Sequence, residues 1–155
     1  MAQDSSPTMF AGLDGFSARY GDALLLIGRV LFGWLLFISG WAKFMNIGGI
    51  VGYLTALGVP NPSFWAWPSA IAEVVLGALL ILGLATRYAS GATLIYVLIT
   101  TVIAHRYWEF APPRQTAEYI NFLKNISIMG GAFAFLVVGA GRWSLDGVMR
   151  RDRAA

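Results

Sequence analysis

The sequence predicts an all-α membrane protein, a bundle of four transmembrane helices with an additional short interfacial or re-entrant helix between the first and second spans. Of the 155 residues, 57% are hydrophobic and only 12% are charged, about half the charged fraction of average soluble domains. Four apolar stretches are long enough to span, because about 20 helical residues cross the hydrocarbon core of a bilayer. Most basic residues flank these stretches or lie in the tail, as in membrane proteins.

The four predicted spans form one transmembrane domain over residues 22–140. They lie at residues 22–42, 65–84, 88–108 and 119–140. Only residues 85–87 link the second span to the third, so these two helices are expected to form an antiparallel hairpin. Four spans place both termini on the same side of the membrane.

The basic residues predict which side that is. Residues 1–21 are expected to be a cytoplasmic segment in which Phe10, Leu13 and Phe16 indicate a short interfacial helix, and residues 141–155 a basic cytoplasmic tail. The side of the termini carries Arg19, Arg87, Arg142, Arg150, Arg151 and Arg153, and the opposite side carries Lys43, Arg106 and Arg114. Since Lys and Arg favour cytoplasmic loops, we expect a bacterial inner-membrane protein with cytoplasmic termini.

The segment between the first two spans carries an apolar stripe at helical spacing. The stripe consists of Ile47, Ile50, Val51, Leu54 and Leu57. Asn46 can cap the start of such a helix, and Gly58 with Pro60 can end it. At about twelve residues the helix is too short to cross the bilayer. A surface helix and a lid over a site both remain open.

Several classes of site are excluded by composition. The chain has no cysteine and one histidine, so it cannot provide thiolates for an iron–sulfur cluster or two histidines for a haem. No metal site and no redox centre are therefore predicted in this chain. The net charge is +3, but the basic residues flank the spans, and no nucleic-acid partner is expected.

Ionisable residues inside the predicted spans indicate a candidate site, because each charge near the bilayer centre costs about 2.5–3.5 kcal/mol. Glu73 is expected about 12 Å deep in the second span from the rise of a helix. Lys124 and Asn125 lie about 8–9 Å into the fourth span. With His105 and Lys43 near the same ends of their spans, they form one predicted outer layer for ligand binding or proton relay. No residue is assigned as catalytic.

Structural explanations stand beside this functional one. Arg29 can extend toward Glu73 as a buried ion pair, or to the cytoplasmic headgroups. Lys43 can be an interfacial anchor, and His105 can simply be solvated. Lys124 and Asn125 can serve hydrogen bonding between helices alone.

Several stretches of the sequence resemble members of the DoxX family. They are GRVLF at residues 28–32, SGWAKF at 39–44, ALGVP at 56–60, LGLATR at 82–87, KNISIMGG at 124–131 and GAGRWSLD at 139–146. The resemblance implies a four-helix fold, and the name is tied to a membrane subunit of archaeal thiosulfate:quinone oxidoreductase. The family pattern falls on Arg29, Lys43, Glu73, His105 and Asn125. No sulfur-binding site is recognisable here, so thiosulfate chemistry is not expected.

Three functions are consistent with these observations. The first is a membrane subunit of a redox system that binds a quinone or similar lipid-soluble carrier, with His105, Lys124 and Asn125 as hydrogen-bond donors and Glu73 or His105 as a proton relay. Its electrons would come from a soluble or membrane oxidoreductase partner. The second is a non-catalytic anchor or assembly subunit, and the third is a small-solute permease. A homo-oligomer also remains open.

Overall fold

The computed structural model describes residues 11–152 and confirms the all-α class. The helices are α1 (Ala11–Met45), α2 (Ile47–Ala56), α3 (Pro62–Leu82), α4 (Thr86–Ala104), α5 (Arg114–Val138) and α6 (Leu145–Asp152). A short 3₁₀ turn, Tyr107–Glu109, lies between α4 and α5. Helices α1, α3, α4 and α5 are long and apolar enough to cross a membrane. The short helix expected between the first two spans is α2.

Apart from the start of α1, the helix ends differ from the predicted spans by two to five residues. Pro62 opens α3 three residues before the predicted start, and α3 ends at Leu82 because Gly83 adopts a positive φ of 67°. This conformation favours glycine and commonly terminates helices. Helix α5 begins at Arg114, because a helix can continue past the hydrocarbon into the headgroup region, where polar residues are tolerated.

The separate interfacial helix expected before the first span is not found in the described chain. Instead, α1 is continuous over 35 residues, about 52 Å at the rise of a helix. Leu13 and Phe16 form part of its exposed first turns. Phe10, on which the expectation also depended, lies outside the described residues, as does Arg153 of the basic tail. No proline interrupts the helix, so its hydrogen-bond ladder continues across the predicted boundary.

The four long helices alternate in direction. Helix α1 packs mainly on α3, and α4 packs mainly on α5. The loops that follow α3 and α5 come together with the middle of α1, since Gly83 lies against Arg29 and Gly141 lies against Leu25. We call this the terminal end of the bundle, and the opposite end, where α2 lies, the α2 end.

The α1–α3 interface is held close by glycines. A β-carbon built on Gly33 would lie 2.8 Å from the Gly77 carbonyl oxygen, and one built on Gly40 would lie 2.6 Å from the Val74 nitrogen. Both contacts are with backbone, which has no flexible side chain to move aside. The two helices therefore approach each other at a distance that only glycine permits, as is common in membrane bundles.

We predict that Gly40→Ala lowers the free energy of unfolding by about 1–3 kcal/mol, the usual cost of overpacking a close interface. Thermal unfolding of the purified protein in detergent measures this change. Gly130→Ala is the matched control, because nothing lies within 4 Å of a β-carbon built there. The control should be neutral or slightly stabilising, since alanine favours helix over glycine. Equal melting temperatures for the two variants would contradict the close packing.

Candidate functional site

A partly buried ion pair joins α1 and α3. Lys43, near the end of α1, places its Nζ 2.6 Å from Oε1 of Glu73 on α3. The hydroxyl of Tyr96 on α4 donates to the same oxygen at 2.7 Å and accepts from Lys43 Nζ at 3.2 Å. Three helices thus contribute one side chain each to a closed triangle of hydrogen bonds, which we call the Lys43 cluster.

Half of the Glu73 carboxylate has no protein partner. Glu73 is 7% exposed, and its Oε2 is buried without a hydrogen bond. A buried acceptor without a partner costs about 1–3 kcal/mol, more for a charged group. Lys43 also keeps one of its three N–H donors free, because Glu73 and Tyr96 use two. The Lys43 side chain is 22% exposed and is the accessible member of the cluster.

A second carboxylate cluster lies at the α2 end. His105, which follows the last residue of α4, places Nδ1 2.8 Å from Oε2 of Glu118 on α5. Tyr53 of α2 donates to the Ala104 carbonyl at 2.8 Å and lies 3.4 Å from Glu118 Oε1. Burial, with the nearby Glu118 carboxylate, raises the pKa of Tyr53 to about 12. The phenol therefore stays protonated and remains a donor that attaches α2 to α4.

The residues of the predicted outer layer lie in four different places: the two clusters, a hydrogen bond between α5 and α4, and the exposed face of α5. Asn125 is buried and donates to Thr101 Oγ1 at 2.9 Å, a bond between α5 and α4. Lys124 is exposed on the outer face of α5 and donates to Asn121 at 3.0 Å. The structure brings Lys124 into neither carboxylate cluster. Lys43 and Glu73 are brought together, whereas His105 belongs to the second cluster.

The expected Arg29–Glu73 ion pair is wrong. Arg29 is 1% exposed and donates to the carbonyl oxygens of Ala140 and Trp143, at 2.9 and 3.0 Å. The guanidinium thus points toward the terminal end and bonds backbone groups after α5, while Glu73 pairs with Lys43. It does not reach the headgroups either, because it is enclosed by protein. Gly83 makes room for it, since a β-carbon there would overlap the guanidinium.

Asp146 completes the terminal end. Its carboxylate accepts from the backbone nitrogens of Ala85 and Thr86 at 2.7 and 2.9 Å, and so caps the start of α4. Burial alone would raise the pKa of Asp146, but these backbone hydrogen bonds outweigh it and hold the pKa below its ordinary value. Asp146 is therefore ionised at neutral pH and compensates the partial positive charge of the helix start.

Sequence reasoning missed Tyr96, Glu118 and Tyr53. The predicted fourth span began at Tyr119, which assigned Glu118 to the preceding loop. One signal was present, because Glu118 and Asn125 are seven residues apart and therefore share a helix face. Tyr96 and Tyr53 carried no comparable signal, since a tyrosine in an apolar segment is ordinary.

The two clusters can hold and exchange protons, but their donors do not suit a metal. No group of three His, Cys, Asp or Glu side chains that could hold a metal ion occurs between residues 11 and 152. Tyr96 lies on α4 nine residues before His105, which follows the end of this helix, so the clusters are separated by about 13 Å along the helix axis. The Lys43 cluster is the deeper of the two in the bundle.

Comparison with known proteins identifies one family and several related membrane proteins. Residues 24–106 match the DoxX family. The chain is 37% identical to the inner membrane protein YphA of Escherichia coli over 123 residues, which cover 79% of this chain and 88% of that protein. It is 30% identical to the E. coli inner membrane protein YqjF over 131 residues, 84% of this chain and 95% of that protein.

A Bacillus subtilis protein with the name "Putative oxidoreductase CatD" is 36% identical over 106 residues, which cover 66% of this chain and 73% of that protein. No solved structure matches the chain. The relatives named as inner membrane proteins and the four apolar helices together make this chain a multi-pass protein of the lipid bilayer.

We predict that Glu73→Gln destabilises the protein by up to about 3–5 kcal/mol, because it leaves the Lys43 ammonium without its counter-charge. The double variant Lys43→Met/Glu73→Gln should recover part of this loss, since no unpaired charge remains. Thermal unfolding of the two single variants and the double variant gives their coupling energy. Arg29→Met/Glu73→Gln is the control and should show no recovery. Recovery in that control, or strict additivity for Lys43 and Glu73, would contradict the observed pairing.

Proposed function

Because this chain belongs to the DoxX family of membrane proteins, we propose that it is the membrane subunit of a redox system and binds a quinone or similar lipid-soluble carrier at the Lys43 cluster. The observation that carries the proposal is the buried Glu73 Oε2, an acceptor without a partner beside two hydrogen-bond donors. The name of CatD supports an oxidoreductase association for that protein. The redox role of this chain is inferred by analogy with it.

The chemistry of the cluster suits a carrier that exchanges protons when it is reduced. A quinone carbonyl accepts a hydrogen bond from the free N–H of Lys43, the exposed member of the cluster. Reduction to the quinol adds two electrons and two protons. In two successive transfers Lys43 gives one proton to each carrier oxygen, and after each transfer Glu73, in direct contact at 2.6 Å, takes up a proton that originates in water and passes it to the amine. In the reverse direction the Glu73 carboxylate accepts a quinol proton.

The electrons require a second protein. The chain has no cysteine, and its single histidine is hydrogen-bonded to Glu118. A partner oxidoreductase therefore supplies the two electrons, and this subunit provides the carrier site and the proton route. His105 and Glu118, nearer the α2 end, exchange those protons with water in this proposal. Asn125 and Lys124 have no direct part in it.

A non-catalytic anchor subunit is the second candidate, and α1 favours it. Residues 12–20 of α1 are all exposed, and β-carbons built on Gly12 and Gly15 would meet no other atom within 4 Å. Leu13 and Phe16 remain 69% and 51% exposed. This part of α1 extends beyond the bundle as a surface on which an oxidoreductase partner can dock. Under this candidate the Lys43 cluster only joins the helices.

We predict that a short-chain ubiquinone analogue quenches the tryptophan fluorescence of the purified protein with a saturable dependence on concentration. Trp67 reports on the site, because it packs on Phe44, the residue after Lys43. Tyr96→Phe should weaken binding about two- to tenfold, because it removes the hydroxyl that holds the Lys43 ammonium and the Glu73 carboxylate in position for the carrier. Tyr88→Phe is the matched control on the same helix, since Tyr88 is 85% exposed. Linear quenching, or equal affinities in both variants, would favour the anchor candidate.

We further propose that the terminal end faces the cytoplasm. Arg19, Arg87, Arg142, Arg150 and Arg151 lie at or beyond this end, whereas the α2 end carries Arg106 and Arg114, together with Lys43, which is neutralised by Glu73. The count of basic residues therefore favours cytoplasmic termini. Alkaline phosphatase fused after residue 155 should be inactive, and green fluorescent protein fused there should fluoresce in Escherichia coli. Active phosphatase with a dark fluorescent protein would reverse the assignment.

A further inference from the structure

A groove opens at the terminal end, between the start of α4 and helix α6. Its volume is about 320 Å³, and its lining includes Thr86, Arg87 and Tyr88 from α4 and Asp146, Met149 and Arg150 from α6. It lies far from the Lys43 cluster, at the opposite end of the bundle. None of the functions considered above uses it.

The groove is basic, although it contains one carboxylate. Arg87 and Arg150 both line it, and neither forms an ion pair or a side-chain hydrogen bond within residues 11–152. The carboxylate of Asp146 is already engaged by the backbone nitrogens of Ala85 and Thr86. The partial positive charge at the start of α4 is thus compensated by Asp146, while the N–H donors of Arg87 and Arg150 remain available to an anion from outside the protein. Guanidinium groups bind phosphate oxygens in a bidentate manner.

The surroundings of the two arginines are those of a membrane interface. Tyr88 is 85% exposed one residue after Arg87, and Met149 is 42% exposed one residue before Arg150. Helix α6 also exposes Leu145 and Val148, and ends in basic residues. An amphipathic helix of this composition lies in the plane of the headgroups with its apolar side toward the acyl chains. Apolar and basic groups therefore border the same groove at the level where the four spans end.

We propose that this groove is a binding site for the phosphodiester headgroup of an anionic phospholipid. Arg87 and Arg150 hold the phosphate oxygens, and Tyr88 and Met149 contact the glycerol and the first acyl carbons. The site is independent of the proposed carrier site and exists whether or not the protein binds a quinone. It connects α6 to the start of α4 through a lipid.

The test uses the full chain, delipidated in detergent and titrated with phosphatidylglycerol, with native mass spectrometry to count bound lipid. Arg87→Gln/Arg150→Gln should weaken the first bound lipid about thirtyfold, from the usual contribution of two basic residues at a lipid surface. Arg19→Gln/Arg151→Gln is the matched control, because it removes the same charge outside the groove lining. The control should change the affinity less than threefold. Equal losses in both double variants would overturn the proposal in favour of diffuse charge attraction.

Two further measurements keep the test decisive. Phosphatidylcholine should not compete for the site, and inorganic phosphate alone should not raise the melting temperature as phosphatidylglycerol does. Equal stabilisation by inorganic phosphate would mean a site for a free anion and would overturn the lipid assignment. If the glutamine variant does not fold, Arg87→Lys/Arg150→Lys replaces it, because lysine keeps the charge but loses the bidentate geometry. An unchanged affinity in that variant would also overturn the proposal.

Discussion

A charged side chain inside a bilayer has to find its hydrogen-bond partners within the protein, because lipid tails offer none. Arg29 shows how strongly this constraint acts on the chain. Its guanidinium donates hydrogen bonds to the carbonyl oxygens of Ala140 and Trp143, so the segment after α5 lies against the middle of α1. The same segment carries Asp146 to the start of α4. One buried arginine thereby joins the middle of α1 to the segment that follows α5.

At the Lys43 cluster the charged groups find their hydrogen-bond partners in other side chains rather than in the backbone. Glu73 lies where Gly40 allows α1 and α3 to touch, so the ion pair forms at a close contact between these two helices. The geometry that packs the helices therefore also brings the amine and the carboxylate together. A substitution that changes the chemistry of this pair also changes the interface, which is why its functional and structural contributions have to be separated by paired variants.

Much of the fold could be predicted from sequence, because hydropathy and length nearly determine which segments span a membrane. The site could be predicted only in part. Depth identified Glu73 and Lys43, since an ionisable residue in an apolar run is conspicuous. The partners of Arg29 could not be found, because backbone carbonyls are the same at every position of a sequence. Glu118 was missed since a carboxylate near a span end looks like part of a loop.

The continuity of α1 has a mechanical consequence. Residues 11–21 reach about 16 Å beyond Asp22, and the same rod continues without a hinge to Lys43. A displacement of the first turns of α1 would therefore tilt the helix as a whole, including the turn that carries Lys43. Arg29 fixes the helix between these two points, because its guanidinium is hydrogen-bonded to the carbonyl oxygens of Ala140 and Trp143 after α5. Under the anchor proposal, a protein docked at Phe16 would therefore be linked to Lys43, nearer the other face of the membrane, through one continuous helix.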